Sequence, residues 1–253
     1  MMIPKIIHYC WFGSNPMPDS VVKCIDSWRE MCPSFELRRW DESNWDVSDN
    51  QYVKQALACK KYAFASDYVR LAVVLKYGGV YLDTDVELLK PLDAFLDYHA
   101  FFATEELGRV NTGIGFGAEK GNEVVSSLLS DYRDAAFLVD NVPDLTTCVE
   151  RAYPTFAKLG IKNVNAVQFL SEKRVPIFPP DFFCPEDYGS GKVTLTSNTV
   201  SIHHYAATWK SQSTIGRIFS SFKVLIRRTS DTLFGPEVYK KIKKFYYWFR
   251  RKL

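Results

Sequence analysis

Ser66-Asp67-Tyr68-Val69-Arg70-Leu71-Ala72-Val73-Val74-Leu75-Lys76-Tyr77-Gly78-Gly79-Val80-Tyr81-Leu82-Asp83-Thr84-Asp85-Val86-Glu87 ends a long apolar run on two carboxylates two positions apart. Ala63, Ala65, Tyr68, Leu71, Ala72, Leu75 and Lys76 recur near a 3.6-residue period, with Ser66, Asp67 and Arg70 on another part of the turn, and predict a helix. Gly78-Gly79 interrupts it. Val80-Tyr81-Leu82 is rich in β-formers and predicts a buried strand whose carboxyl end delivers Asp83 and Asp85 to the crevice outside a sheet. Hard oxygen donors in that place suit Mg²⁺ or Mn²⁺, which take one or two carboxylates plus phosphate oxygens and shed water reluctantly, so a ligand carrying a diphosphate is implied. Taken alone, Asp-x-Asp is also a common exposed turn. Asp67 and Arg70, three residues apart, are equally readable as an exposed ion pair worth at most about 1 kcal/mol.

Outward from this stretch, Ile3, Ile6, Ile7, Tyr9 and Trp11 form a strand-like run closed by Gly13. An aromatic at its carboxyl end reaches the same crevice, where Trp11 either stacks on a nucleobase or fills core. His8 reads as a hydrogen-bonded core residue. Val200 to Tyr205 reads as another strand, and alternation sends His203 and His204 to opposite faces, so at most one meets a metal. His203 is either that ligand or a satisfied core histidine. Val110-Asn111-Thr112-Gly113-Ile114-Gly115-Phe116-Gly117-Ala118 has glycines at alternate positions that let backbone approach a ligand, or else mark a strand edge or bulge. It lacks the Rossmann spacing and the Walker lysine.

Three blocks in order, Ile3 to Gly13, Ala65 to Asp85 and Ser201 to Trp209, resemble the sugar-nucleotide core of family 32 glycosyltransferases over most of residues 3–209. That family includes capsule and other surface-polysaccharide sugar transferases and is similar in this core to the clostridial glucosylating toxins. The resemblance implies a GT-A-type α/β fold with a mixed, mainly parallel sheet and helices on both faces. It also implies a metal-dependent, retaining hexosyltransferase that uses a nucleoside diphosphate sugar. By resemblance, Asp85 is the direct Mn²⁺ or Mg²⁺ ligand, Asp83 holds ribose or metal-bound water, and His203 stands where the family keeps a histidine. Asp67 is placed on ribose or sugar hydroxyls, and Arg70 on a sugar hydroxyl or phosphate. Tyr81, Thr208 and Trp209 fall on the nucleotide side; the family often has Ser-Trp where this chain has Thr208-Trp209, a change that keeps the hydroxyl. Asn111 matches the asparagine beside the donor sugar, with Glu105 and Glu106 as pocket acids. The toxin-like Trp11 and Asp67 favour a UDP-hexose, with a GDP-hexose second. The acceptor implied is a growing surface glycan, either free or linked to a polyprenyl diphosphate lipid.

Composition agrees with a folded enzyme: 253 residues, 47% hydrophobic, are enough for one α/β domain with an appendage. Six cysteines, Cys10, Cys24, Cys32, Cys59, Cys148 and Cys184, show neither Cys-x-x-Cys nor zinc spacing, which points to reduced thiols in a cytoplasmic protein. No apolar run of about 18 residues is present. Charge divides near residue 210. Residues 210–253 hold 12 Lys and Arg against 2 acids, net +10, whereas residues 1–209 are net −7. Ile215, Ile218, Phe219, Phe222, Leu225 and Ile226, then Val238, Tyr239, Ile242, Phe245, Tyr246 and Phe249, form two apolar stripes around the Gly235-Pro236 break. The expectation is a catalytic domain over 1–209 and a basic helical tail over 210–253, which either lies on an anionic membrane or packs on the domain. No nucleic-acid reader fold is recognisable.

Elsewhere the patterns predict helices over Val21–Met31, Leu57–Leu75, Asn122–Phe137 and Leu145–Leu159, the last broken or kinked at Pro154, with a strand over Phe35–Trp40 and a turn over Pro176–Pro185. Two rivals stand beside the transferase. A haloacid-dehalogenase-type phosphatase also ends a strand in Asp-x-Asp but expects Thr or Val where Glu87 stands. A non-catalytic sugar-nucleotide or glycan-binding subunit would keep the pocket without turnover.

Overall fold

The computed structural model describes residues 2–48, 50–170, 175–187 and 190–205. The chain divides into two compact units: residues 1–186 with 193–206, and residues 187–192 with 207–253. The expected boundary at residue 210 and the basic tail lie outside the described residues.

In chain order the elements are β1 (Ile6–Cys10), α1 (Asp19–Met31), β2 (Glu36–Trp40), α2 (Gln51–Ala58), α3 (Tyr62–Tyr77), β3 (Gly79–Tyr81), β4 (Val86–Leu88), β5 (Ala100–Glu106), β6 (Arg109–Val110) and β7 (Phe116–Ala118). They continue as α4 (Glu123–Ser130), β8 (Leu138–Val139), β9 (Val142–Pro143), α5 (Cys148–Lys158), β10 (Gln168–Leu170), β11 (Val175–Phe178), α6 (Pro180–Phe183) and β12 (Ser201–His203). The main sheet runs β10-β11-β5-β7-β3-β1-β2, with β6 hydrogen-bonded to β5. β2, β1, β3, β5 and β11 point one way; β7 and β10 point the other. The sheet is therefore mixed and mainly parallel. β12 pairs antiparallel with β4 in a small second sheet, with His203 opposite Val86.

Alternation along the strands sorts the core onto two faces. Cys10, Tyr81, Phe102, Phe116 and Ile177 face one cluster, completed by α2 to α5 through Val53, Val69, Val73, Val125 and Phe156. Ile7, Tyr9, Val80, Phe101 and Phe178 face the other, completed by Val21, Ile25 and Trp28 of α1 and Phe183 of α6. Covered on both faces, β3 reads as the continuous apolar run that such strands require.

Gly78 and Gly79 make the junction between α3 and β3. Their φ angles are 69° and 111°, in the region that excludes most side chains, and a Cβ on Gly79 would come within 2.8 Å of the Ile6 carbonyl oxygen. His8, fully buried beside this junction, has its Nε2 2.8 Å from the Gly78 carbonyl oxygen and accepts from Trp40 Nε1 at Nδ1. It is the satisfied core histidine expected.

Several predicted elements differ. The helix expected over Leu57–Leu75 is two, α2 and α3, because the chain reverses through Lys60 in the left-handed region (φ 54°) and Asn50 caps the earlier start by accepting from the Tyr52 and Val53 amides. The helix expected to reach Phe137 stops at Ser130, and Phe137 is core. α5 continues through Pro154 without breaking. The Pro176–Pro185 turn instead contains the buried strand β11, parallel to β5, followed by α6.

Candidate active site

β3 ends at Tyr81, and the next four residues, Leu82 to Asp85, turn at the carboxyl edge of the sheet. The Leu82 amide donates to the His8 carbonyl, the Asp83 amide to the Gly113 carbonyl, and the Val86 amide to the Asp83 carbonyl. These bonds fix Asp83-Thr84-Asp85 between β1 and the loop after β6. The two carboxylates then go to different partners.

Asp83 is held from the α3 side. Arg70 Nη2 lies 3.0 Å from Asp83 Oδ1 and 3.0 Å from Asp67 Oδ1, and donates to Ser66 Oγ at 3.1 Å. Tyr81 Oη donates to Asp83 Oδ1 at 3.0 Å, and the guanidinium lies 4.9 Å from the Tyr81 ring centre. Asp67 and Arg70 are thus a buried pair, 7% and 2% exposed, rather than the surface pair their spacing alone allows. Burial raises the Asp67 carboxyl above the usual carboxylate range; Arg70 opposes this and Asp83 adds to it. Tyr81 is 1% exposed, so it meets any ligand through Asp83 rather than directly.

Asp85 is held from the small sheet. The His204 amide donates to the Asp85 carbonyl, and His203 Nε2 lies 3.2 Å from Asp85 Oδ1. His204 points away to Glu87 at 2.8 Å. Burial opposes a charged His203, but the Asp85 carboxylate, its hydrogen bond and Cys184 outweigh burial and raise the imidazole well above its ordinary value. Asp83, Asp85 and His203 each offer a donor atom within 4.8 Å of the others. Two carboxylates and an imidazole fit a hard or borderline dication such as Mg²⁺ or Mn²⁺.

Asn111 sits on the loop beyond β6. Its Nδ2 donates to Glu105 Oε2 at 3.0 Å, and its Oδ1 accepts from the Gly113 amide at 2.7 Å. Both ends of the amide are engaged, so Asn111 shapes the loop and orients Glu105. Trp11 is half-buried, with its Nε1 donating to the Asn15 carbonyl. Thr208 and Trp209 lie outside the described residues. Cys148 has no counterpart among the sequence-predicted site residues: its Sγ is 3.5 Å from Asn111 Oδ1 and 3.7 Å from Arg70 Nη1, joining α5 to the α3 arginine and to the loop after β6. The signal was the capping pattern Thr147-x-x-Glu150, which marks Cys148 as the first residue of a helix.

Residues 18–102 match the glycosyltransferase sugar-binding region containing a DXD motif, a span that holds Asp67, Arg70, Asp83 and Asp85. Inositol phosphoceramide mannosyltransferase 3 of Schizosaccharomyces pombe is 32% identical over 140 residues, which are 53% of this chain and 38% of that protein. Over these stretches the chain is similar to DXD-containing glycosyltransferases. The uncharacterized glycosyltransferase L373 of Acanthamoeba polyphaga mimivirus is 30% identical over 117 residues, 44% of this chain and 47% of the relative. The chain spans less than half the length of either curated relative. Its mixed, mainly parallel sheet, with the Asp-x-Asp pair just beyond β3, is the α/β arrangement expected from the sequence. A solved glycosyltransferase involved in the glycosylation of the major capsid of PBCV-1 superposes with a TM-score of 0.47 at 14% identity, over 87% of this chain and 99% of that one.

Proposed function

We propose that this chain moves a hexose from a nucleoside diphosphate sugar to a hydroxyl of a surface-glycan acceptor, with the uridine donor preferred over the guanosine one. The observation that carries the reading is the convergence of Asp83, Asp85 and His203 within 4.8 Å beside the buried Asp67–Arg70 pair. Arg70 is shared by Asp67 and Asp83, while Asp85 lies beside His203. Carboxylate oxygens and an imidazole in this arrangement suit a dication that also takes phosphate oxygens.

Asp83, Asp85 and His203 would hold Mn²⁺ or Mg²⁺, whose contribution when bound is to neutralise charge on the leaving diphosphate as the glycosidic bond breaks, an effect of several kcal/mol. The chain supplies the rest. Arg70 locks Asp83 and Asp67 in place, so neither carboxylate reorganises when ligand enters. Asp67 presents a fixed acceptor for a ribose or sugar hydroxyl, and Glu105, oriented by Asn111, presents another. Trp11 supplies a stacking face for the nucleobase.

Retention of anomeric configuration, a role in capsule, exopolysaccharide or lipopolysaccharide synthesis, and a place on the cytoplasmic face of the membrane belong to the same proposal. They are supported by the resemblance of the three sequence blocks and by the basic tail. The relative named a mannosyltransferase makes mannose the first hexose to try.

A thermal-shift panel of nucleoside diphosphates and nucleotide sugars, with and without Mn²⁺, tests the donor site, because a selective ligand stabilises the fold by mass action. At a ligand concentration of about 100 Kd the stabilisation is about 2.7 kcal/mol. The expected result is a Mn²⁺-dependent shift with one nucleotide, lost in Asp85→Ala. Absence of any shift overturns the proposal. Product anomeric configuration by NMR tests retention separately.

A further inference from the structure

We infer that Tyr205 is a positioning residue that holds the His203 imidazole against Asp85, an inference that rests on the cation-site reading above. β12 ends at His203, and the His204 amide then closes on the Asp85 carbonyl. Immediately afterwards the chain turns through Tyr205 with φ at 45°. A bulky side chain in the left-handed region is uncommon and marks a conformation that its surroundings impose.

What this backbone achieves is a close approach of two rings. In an extended strand, residues i and i+2 stand on one face but are separated by two rises of about 3.3 Å. Here the Tyr205 and His203 centroids are 4.3 Å apart with the planes inclined at 65°, an edge-on packing. The other end of the tyrosine is fixed as well, with its Oη 3.0 Å from Cys184 Sγ, just beyond α6. Tyr205 therefore braces the imidazole from the side while Asp85 engages its Nε2.

Partners that orient a metal-ligating histidine are worth about 10- to 100-fold in metal affinity. Tyr205→Asn separates the ring from the turn, because asparagine adopts positive φ readily while removing the aromatic brace. Mn²⁺ affinity is measured on the full chain by titration, beside Mn²⁺-free UDP binding and the thermal midpoint. The expected result is Mn²⁺ binding weakened about tenfold in Tyr205→Asn, with UDP binding and midpoint close to wild type. Tyr205→Phe, which keeps the ring, should stay within about threefold of wild type. In turnover, the requirement for Mn²⁺ should rise in Tyr205→Asn while the rate at saturating Mn²⁺ returns.

Unchanged Mn²⁺ affinity in Tyr205→Asn, alongside its loss in Asp85→Ala, overturns the role of Tyr205 and leaves the cation site standing. Equal Mn²⁺ affinity in wild type and Asp85→Ala overturns the cation site itself, and this inference with it. Should Tyr205→Asn fail to fold, Tyr205→Phe still decides: a tenfold loss there removes the ring as the cause.

Discussion

A methyl group on residue 113 would overlap Asp83 Oδ2 and come within 3.1 Å of Arg70 Nη1. Asp83 has little room to yield, since Arg70 and Tyr81 both bind its Oδ1 and the Gly113 carbonyl holds its amide. Gly113→Ala should therefore break one of these contacts to Asp83 or shift the loop that carries residue 113. We expect a loss of Mn²⁺-dependent nucleotide affinity of at least about tenfold with a stability cost of about 1–3 kcal/mol, checked by nucleotide titration and urea unfolding. His8 gives a second residue-level test, on pH. Burial lowers its pKa to about 4, the Gly78 carbonyl opposing, whereas the unfolded imidazole titrates near 6.5. Between those values the unfolded chain binds the extra proton. Stability from this site is complete above pH 6.5 and is lost as the pH falls towards 4, by about 3 kcal/mol in all. Urea unfolding at pH 7.5, 6, 5 and 4 should show that slope, and His8→Gln should flatten it.

At the scale of elements, α5 begins with a capping box in which Thr147 Oγ1 accepts from the Glu150 amide while the Glu150 carboxylate accepts from the Thr147 amide. Thr147→Ala should cost about 1 kcal/mol in urea unfolding. Because the next residue, Cys148, touches both Asn111 and Arg70, the loss should also weaken nucleotide binding. Ser48→Ala, which removes a hydroxyl bonded only locally to Asp46, should leave that binding unchanged. Much of this architecture is legible in sequence wherever residue type and periodicity agree. α3, the glycine junction and β3 are such places, because a buried helix, a left-handed turn and a two-sided buried strand each demand a distinct composition. The split between α2 and α3 is not legible, since Lys60 carries no turn chemistry yet takes a left-handed helix-ending turn in which its amide donates to the Leu57 carbonyl and that of Lys61 to the Ala56 carbonyl. β11 is masked by its prolines and phenylalanines, which resemble a turn until a neighbouring strand pairs with them. In the site, the types of Asp83, Asp85 and His203 could be read, but not that Arg70 would be shared between two carboxylates. That depends on the distance across the α3–β3 junction, a tertiary quantity. Tyr205 is hidden for the same reason: no local pattern announces a tyrosine at positive φ.

For the whole molecule, the distribution of charge makes a further demand. Residues 1–209 carry a net −7 and residues 210–253 a net +10, so the overall +3 conceals two opposed fields in one chain. No helix among the described residues is long and apolar enough to cross a membrane. On the proposed reading, the basic segment supplies the attraction to an anionic lipid surface, where each Lys or Arg close to the surface contributes about 1 kcal/mol. The acidic remainder is repelled by the same surface, which would favour approach through the tail. Two quantities then separate membrane association from attachment of the tail to its own domain. In flotation assays the full chain should rise with vesicles containing anionic lipid and not with neutral ones, and raising salt to about 1 M, where screening acts within about 3 Å, should weaken the association. A chain ending at Trp209 should stay at the bottom of the gradient. If that shortened chain floats as well as the full one, the membrane role of the tail is wrong, and its charge is more simply explained by the acidic surface of the same molecule.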